Sequence, residues 1–170
     1  MDSRMRKNGF SLLEVLVIMG IMGAMMLAMY PSIMNSLETR DLENSARDVQ
    51  TTLQQARYRA VTDKIHCRVR FAQSGGFWQM HLESLEADGT WIRITGIPPR
   101  EISNKFTVTL GLPSSQTVEF SPVGIVEGYD STNNSLTLQS RKLKAKGQQD
   151  LRVLTIFGGG TISYAKATSG

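Results

Sequence analysis

A run of 23 residues without a charged side chain, from Val15 to Leu37, is the feature that most constrains this 170-residue chain. As a helix it would extend roughly 35 Å, enough to cross a hydrocarbon core about 30 Å thick. The cations in front of it, Arg4, Arg6 and Lys7, would stay in the cytoplasm by the positive-inside tendency. The sequence therefore predicts one membrane-spanning helix, with the body after Glu38 outside the cytoplasm.

Two simpler interpretations explain only part of this segment. A secretory signal peptide has a shorter apolar stretch and ends in an A-x-A-like site, which does not follow here. An ordinary membrane anchor explains the length and the flanking charge but not Glu14. A carboxylate within a membrane helix costs about 2.5–3.5 kcal/mol at its centre and somewhat less near an end. Glu14 is therefore a functional candidate that needs a partner.

The residues around Glu14 carry a resemblance to a known family. The segment Lys7-Asn8-Gly9-Phe10-Ser11-Leu12-Leu13-Glu14 resembles the leader and cleavage motif of type IV pilins and type II secretion pseudopilins. In that family a prepilin peptidase cuts after the glycine and methylates the new terminal phenylalanine. The resemblance implies cleavage between Gly9 and Phe10, N-methylation of Phe10, and assembly through Glu14.

The physical chemistry of the motif agrees with this role. Cleavage leaves a positive amine at the end of a membrane helix, and a neighbouring subunit's Glu14 could neutralise it where unpaired charges are costly. Alternatively, Glu14 reaches the headgroup layer or its own amine one turn away. Gly20, Gly23 and Ala24 allow close helix packing, and Pro31 should kink or loosen the helix near the membrane exit.

Composition limits the remaining possibilities. Of the formal charge of +4, residues 1–9 carry +2, so the body is close to neutral and gives little support to nucleic-acid binding. A single cysteine, Cys67, excludes an intramolecular disulfide. The role of Cys67 is left open by the sequence.

After Pro31 the sequence becomes polar but keeps a helical period. Six apolar residues at spacings of three and four predict an amphipathic half-helix packed on a sheet: Leu42, Ala46, Val49, Leu53, Ala56 and Ala60. From Lys64 the period changes to two, which indicates strands. A free coiled coil is the alternative for the helix, but the alanines in the stripe and the strands that follow favour packing within one domain.

The first two strands predict a hairpin with a testable register. A four-residue loop, Gln73–Gly76, would place Phe71 opposite Trp78 on an apolar face. The further expected pairs are Val69 with Met80, Cys67 with Leu82, Arg70 with Gln79, Arg68 with His81, and His66 with Glu83. If the side chains keep the same two faces beyond the Asp88-Gly89 turn, Ser84 lies opposite Arg93, which predicts a bulge.

The fold class expected is α+β, a long N-terminal helix packed on an antiparallel β-sheet domain. Later strands are predicted at Phe106–Leu110, Thr117–Phe120, Ser135–Gln139, Leu151–Phe157 and Thr161–Tyr164. A polar turn is expected at Asp130–Asn134 and a mobile basic loop at Arg141–Asp150. The chain is thereby divided into a leader (1–9), a transmembrane assembly helix (10–37), an amphipathic half-helix (38–63) and an antiparallel β domain (64–170).

The body also resembles one subgroup of the family. The stretch Phe120-Ser121-Pro122-Val123-Gly124, followed by a strand, a basic loop and a Gly-rich hairpin, is similar to the GspH/FimT minor pseudopilins and minor pilins. The missing C-terminal cysteine pair argues against many major pilins. The presence of Glu14 argues against the tip-most pseudopilin, which lacks the acid.

The sequence contains no group of residues with the pattern of a catalytic site. His66, His81 and Glu83 could share an exposed face as a weak metal site, but exposed polar strand residues explain them better, and Cys67 points to the other face. Gly158-Gly159-Gly160 lacks the lysine and spacing of a phosphate loop and predicts a tight turn. We therefore expect no catalysis, no metal and no cofactor.

One alternative function concerns a basic cluster near the C-terminus, formed by Arg141, Lys142, Lys144, Lys146 and Arg152. Some FimT-type minor pilins bind DNA during natural competence through basic C-terminal residues. Their Gly-Arg-x-Arg ending is replaced here by Gly160-Thr161-Ile162-Ser163, which weakens the resemblance at this point. A solvated basic loop is the simpler interpretation, and a contact with a protein partner is a third.

The resemblance as a whole implies a minor structural subunit of a type II secretion pseudopilus or type IV pilus. The expected partners are other pilin or pseudopilin subunits, the prepilin peptidase and the inner-membrane assembly platform. The expected location is the inner membrane, with one span and a periplasmic C-terminal domain, and then the filament. The sequence does not distinguish the pilus from the secretion system.

Overall fold

A computed structural model describes residues 11–112, 116–148 and 150–168. The chain forms two compact units, one ending at Leu37 and the other beginning at Glu38. The boundary falls inside a single helix, α1 (Leu12–Asp63). Gly9 and Phe10 lie outside the described residues.

The first unit is described as helix from Leu12 to Leu37. It contains no buried side chain, although its apolar content is high enough for a membrane span. Pro31 lies inside the helix and has no N–H to donate, yet helical geometry continues on both sides of it. Within this unit, the Ser36 hydroxyl donates to the Ser32 carbonyl at 3.0 Å.

The second unit begins with the amphipathic part of α1. All six residues of the predicted stripe are completely buried, so the prediction of a helix packed by that face is confirmed. Because three of the six are alanines, the helix backbone can approach the strands closely. Thr52 is also buried on this helix, and its hydroxyl donates a hydrogen bond to the Asp48 carbonyl at 2.8 Å.

Two antiparallel sheets complete the unit. The first has the order β3-β2-β1-β6, with β4 also paired to β2. Its strands are β1 (Cys67–Ser74), β2 (Phe77–Leu85), β3 (Trp91–Arg93), β4 (Arg100–Ile102) and β6 (Thr117–Phe120). The second has the order β5-β7-β8-β9. Its strands are β5 (Phe106–Gly111), β7 (Ser135–Ser140), β8 (Asp150–Ile156) and β9 (Ile162–Thr168).

The helix and both sheets contribute to one apolar core. From the sheets come Cys67, Val69, Phe71, Met80, Leu82, Ile102, Phe106, Val118, Phe120, Leu136, Leu138, Leu154, Ile156 and Ile162. The predicted α+β class, with a long helix packed on antiparallel strands, is confirmed. The short strand β4 was not predicted, because Pro98 and Pro99 directly precede its three residues.

The register predicted for the first hairpin is wrong by two residues. Gly75 and Gly76 have φ of +58° and +83° and form the turn alone, so both strands continue to its edges. Phe71 therefore lies opposite Met80, and Arg68 lies opposite Glu83. Val69 lies opposite Leu82, Cys67 opposite Ser84, and Arg70 opposite His81. The His66 carbonyl accepts a hydrogen bond from Leu85 N–H. A shift by two preserves the side-chain alternation, which is why the apolar face was still assigned correctly.

The pairing expected across the next turn is also wrong. Glu83, not Ser84, lies opposite Arg93, and the ladder is regular from there to Leu85 and Trp91. Glu86 N–H donates to the Thr90 carbonyl and closes a three-residue loop that contains Gly89 at φ +82°. Because the loop has three residues instead of two, the pairing of the two strands shifts by one residue from the predicted one.

The predicted mobile basic loop contains a helix instead. Residues of its first half form α2 (Arg141–Ala145), and Asp150 already belongs to β8. The Ser140 hydroxyl caps α2 by accepting from Leu143 N–H at 3.3 Å, and Leu143 is buried. The tight turn predicted at Gly158–Gly160 is confirmed, since Gly160 N–H donates to the Phe157 carbonyl at 2.8 Å.

Candidate assembly site

The apolar segment of α1 presents its side chains on every face. Leu12, Leu16, Met26 and Leu27 are each more than 60% exposed, and even the least exposed members of this segment are not buried. A soluble surface rarely carries a contiguous apolar area of this size. The side chains need lipid or the helices of other subunits as their surroundings.

Glu14 lies in the first turn of α1 and is exposed. Its backbone N–H donates to the Ser11 carbonyl at 3.0 Å, which places it within the helical turn. An acid in the first turn is favourable because it faces the positive end of the helix dipole. Within residues 11–112, 116–148 and 150–168, its carboxylate forms no ion pair, which leaves it available to a partner from another chain.

At the start of the globular unit, Glu38 connects three elements. It is buried, and its Oε1 accepts a hydrogen bond from the Ser140 hydroxyl at 2.8 Å. The same hydroxyl accepts from Leu143 N–H, so one oxygen joins α1, the end of β7 and the start of α2. The sequence did not predict this link, because a single acid at the end of the uncharged run does not indicate its partner 102 residues away.

Arg152 does not belong to the basic surface cluster to which it was assigned. It is 1% exposed, and its guanidinium forms two bonds to the Asp150 carboxylate, one of them 3.1 Å between Nη2 and Oδ2. Burial acts to lower the pKa of Arg152, but the hydrogen bonds to Asp150 outweigh it and raise the pKa. Arg141, Lys142, Lys144 and Lys146 are exposed on α2 and the turn after it.

The residues considered for a metal site do not share an exposed face. His81 and Glu83 are buried, and His66 Nδ1 contacts Glu119 at 3.0 Å. Glu83 accepts from Arg68 and Arg70 at 2.7 Å each. The described residues contain no group of three His, Cys, Asp or Glu side chains that could hold a metal ion.

These contacts determine the ionisation of the cluster. Burial acts to raise the pKa of Glu83, but hydrogen bonds from Arg70 and Arg68 outweigh it and lower the pKa. Burial, with Arg93 and Arg70 nearby, lowers the pKa of His81. His81 Nδ1 finds no hydrogen-bond partner among the described residues. This face is an ionic cluster around the buried Glu83, with Arg68 and Arg70 partly exposed, which the alternation of polar residues along the strands could not reveal.

Cys67 lies on the core face and is completely buried. Burial raises the pKa of its thiol to about 11, and Asp63 acts in the same direction. A thiolate is therefore disfavoured at neutral pH, and the side chain packs as a small apolar group.

Arg57 fixes two loops against α1. Its Nε donates to the Gly124 carbonyl at 3.0 Å and its Nη2 to the Gly159 carbonyl at 3.2 Å. A Cβ on Gly160 would lie 2.1 Å from the Gly124 carbonyl oxygen, so only glycine fits there. The two segments on which the subgroup resemblance rested, Phe120–Gly124 and the Gly-rich turn, thus meet at one arginine of α1.

Comparison with known proteins agrees with both parts of the chain. Residues 4–30 match the prokaryotic N-terminal methylation motif, and residues 45–160 match the type II transport protein GspH. A methylation motif on an exposed apolar helix, followed by a helix packed on antiparallel sheets, defines a pilin-class subunit. The chain belongs to the GspH family of type II transport proteins.

Individual proteins are similar to this chain in sequence or in fold. The chain is 29% identical over 160 residues to the type II secretion system protein H of Aeromonas hydrophila, covering 94% of this chain and 79% of the relative. It is structurally similar to the minor pseudopilin EpsH of the Vibrio cholerae type 2 secretion system, with a TM-score of 0.55 and 15% identity over 74% of this chain and 96% of EpsH.

A second solved structure has a similar fold. The type IV minor pilin FimU of Pseudomonas aeruginosa matches with a TM-score of 0.50 and 20% identity over 74% of this chain and 89% of FimU. These two likenesses show the common fold. The family matches confirm the predicted class, a minor pseudopilin or minor pilin that assembles with other subunits. The methylation motif on an apolar helix indicates anchoring in the inner membrane.

Proposed function

We propose that this chain is a minor structural subunit of a type II secretion pseudopilus, processed at Gly9/Phe10 and assembled through the N-terminal half of α1. The observation that carries the proposal is the exposed apolar helix with Glu14 in its first turn, joined to a folded GspH-type body. The GspH match favours the secretion system over the related type IV pilus.

The prepilin peptidase would carry out the covalent changes to this chain that precede assembly. It would cut between Gly9 and Phe10 and methylate the new amine of Phe10. Support comes from the match of residues 4–30 to the N-terminal methylation motif. The globular unit would then lie in the periplasm, because Arg4, Arg6 and Lys7 favour a cytoplasmic leader.

Glu14 would direct the docking of the subunit into the filament. In a low-dielectric environment, its carboxylate would pair with the Phe10 amine of a neighbouring subunit, and this contact would set the axial register. The inner-membrane assembly platform would insert the subunit into the filament. Pro31 would loosen the helix near the membrane exit by removing one backbone hydrogen bond.

Deletion of the gene in the source bacterium tests which machine the chain serves. Loss of type II exoprotein secretion with normal twitching motility is the expected result. A plasmid copy should restore secretion, and a copy lacking residues 10–37 should fail to do so. Normal secretion together with lost twitching would overturn the assignment to the secretion system in favour of the pilus.

A further inference from the structure

The short helix α2 concentrates positive charge on the surface of the globular unit. It exposes Arg141, Lys142 and Lys144, while Leu143 between them is buried and anchors the helix. Among the residues that the structure describes, none forms an ion pair with these three cations. The folded chain therefore holds three cations together on one short helix without neutralising them.

The nearby acids are already engaged elsewhere. Asp41 pairs with Lys105 at 3.6 Å, and Glu38 is buried against the Ser140 hydroxyl. Asp150 is held by the buried Arg152, with Lys166 at 3.7 Å from the same carboxylate. This end of the unit keeps a positive excess for an external anion.

The position of α2 indicates which anion is nearest. The Ser140 hydroxyl that caps α2 donates to Glu38, the first residue of the globular unit. Leu37, immediately before Glu38, closes the uncharged run. α2 thus lies at the end of the unit from which the chain continues into the apolar segment. The opposite end of the same helix, at Asp63, is about 38 Å away.

The sequence next to the apolar run does not supply these charges. Residues 38–43 contain Glu38, Arg40, Asp41 and Glu43, which sum to a net negative charge. Cations close to a membrane span bias its orientation, whereas cations far along a translocated domain have little such effect. Folding brings residues 141–144 back to the start of the unit, so positive charge can lie there without opposing the orientation of the span.

We propose that Arg141, Lys142 and Lys144 bind the phosphate groups of anionic lipids in the membrane that anchors the chain before assembly. This inference rests on the proposed membrane anchoring. Each cation close to an anionic bilayer surface contributes about a fivefold gain in association, and salt screens the effect. The anchor holds α2 near the headgroups, so weak individual contacts suffice to orient the globular unit on the bilayer.

The full chain in nanodiscs provides the test, with hydrogen exchange of residues 141–148 as the readout. Discs of phosphatidylcholine alone are compared with discs containing phosphatidylglycerol. The lipid contact should slow exchange at least about fivefold in the anionic discs, and about 0.5 M NaCl should abolish the difference. The Lys142→Gln/Lys144→Gln variant should lose the protection. A matched variant at the far end, Arg59→Gln/Lys64→Gln, removes equal charge and should retain it.

Each other outcome contradicts the inference. Equal exchange of an inserted chain in both kinds of disc overturns lipid binding alone. Equal protection by inorganic phosphate in phosphatidylcholine discs assigns the site to free anions, and protection only by added duplex DNA assigns it to nucleic acid. A chain that does not remain in either disc overturns the proposed anchoring together with this inference.

Discussion

Residues 12–37 expose their apolar side chains all around the helix, whereas residues 38–63 of the same helix bury a continuous apolar stripe. Leu27 is 79% exposed and Leu53 is fully buried, although both are leucines in regular helical turns. The difference lies in what surrounds them. The second half finds its partners in the strands of its own chain, while the first half needs lipid or other subunits. Folding thus uses the second half of α1, and our proposal assigns assembly to the first half.

The largest expected effect separates these two roles by matched substitutions. Leu53→Ala removes a fully buried side chain and should lower the free energy of unfolding of the globular unit by about 2–5 kcal/mol. Leu27→Ala makes the same chemical change in the exposed half and should leave that value unchanged. Thermal unfolding of the full chain in detergent, followed by near-UV circular dichroism, measures both. Equal destabilisation by the two substitutions would contradict the division.

The next prediction concerns assembly. Glu14→Ala should reduce incorporation into filaments by up to about 100-fold, since an unpaired charge costs about 2.5–3.5 kcal/mol at the centre of a membrane helix and somewhat less near its end. Unfolding of the globular unit should be unaffected. The measurement is recovery of the chain in sheared filaments relative to the membrane fraction, with Glu14→Asp as the charge-retaining control. Normal recovery of Glu14→Ala would eliminate the amine pairing.

Arg57 sharpens the comparison within the folded half. Arg57→Ala removes two hydrogen bonds to loop carbonyls and should cost about 1–3 kcal/mol of stability. Arg59→Ala, two residues further along the helix, is the matched control and should have little effect. If both variants unfold at the same temperature as the parent chain, Arg57 does not hold the loops.

The smallest effect is a pH dependence confined to the globular unit. The folded pKa of His81 is lowered, so its stabilising contribution is complete above the ordinary value near 6.5 and is lost as pH falls through the folded value. The lowered pKa of Glu83 acts similarly but only below its ordinary value of 4.5. His81→Leu should flatten the stability profile below pH 6.5 and leave the loss below 4.5. An unchanged profile would show that His81 does not titrate in this window.

The sequence predicted those features that depend on local periodicity. These features are the uncharged run, the buried stripe from Leu42 to Ala60 and the alternating strands. Each pattern extends over several turns or residues, so no single position decides the prediction. The loop lengths at Gly75-Gly76 and Gly89 depend on one or two residues, and there the predicted registers were wrong. α2 was missed because five residues with one buried apolar side chain, Leu143, show no period.

The contacts between distant parts of the chain were beyond prediction for a different reason. Glu38 and Ser140, and Arg57 and its two glycine carbonyls, lie 67 to 102 residues apart in the chain, and Gln50 contacts the Ile162 carbonyl across 112 residues. No local pattern encodes such pairs. Motif spacing, by contrast, led to the prediction that Glu14 is the assembly residue. The proposed pairing requires the Phe10 amine that cleavage would create.

Mass spectrometry of the N-terminus of the chain isolated from its bacterium tests the central claim most directly. The claim is that the exposed half of α1 is made competent for assembly by prepilin processing. The predicted result is a mature chain that begins at Phe10 and carries one N-methyl group, with Gly9→Leu as the variant that keeps the leader. An intact leader, or an unmethylated end at another residue, would contradict it.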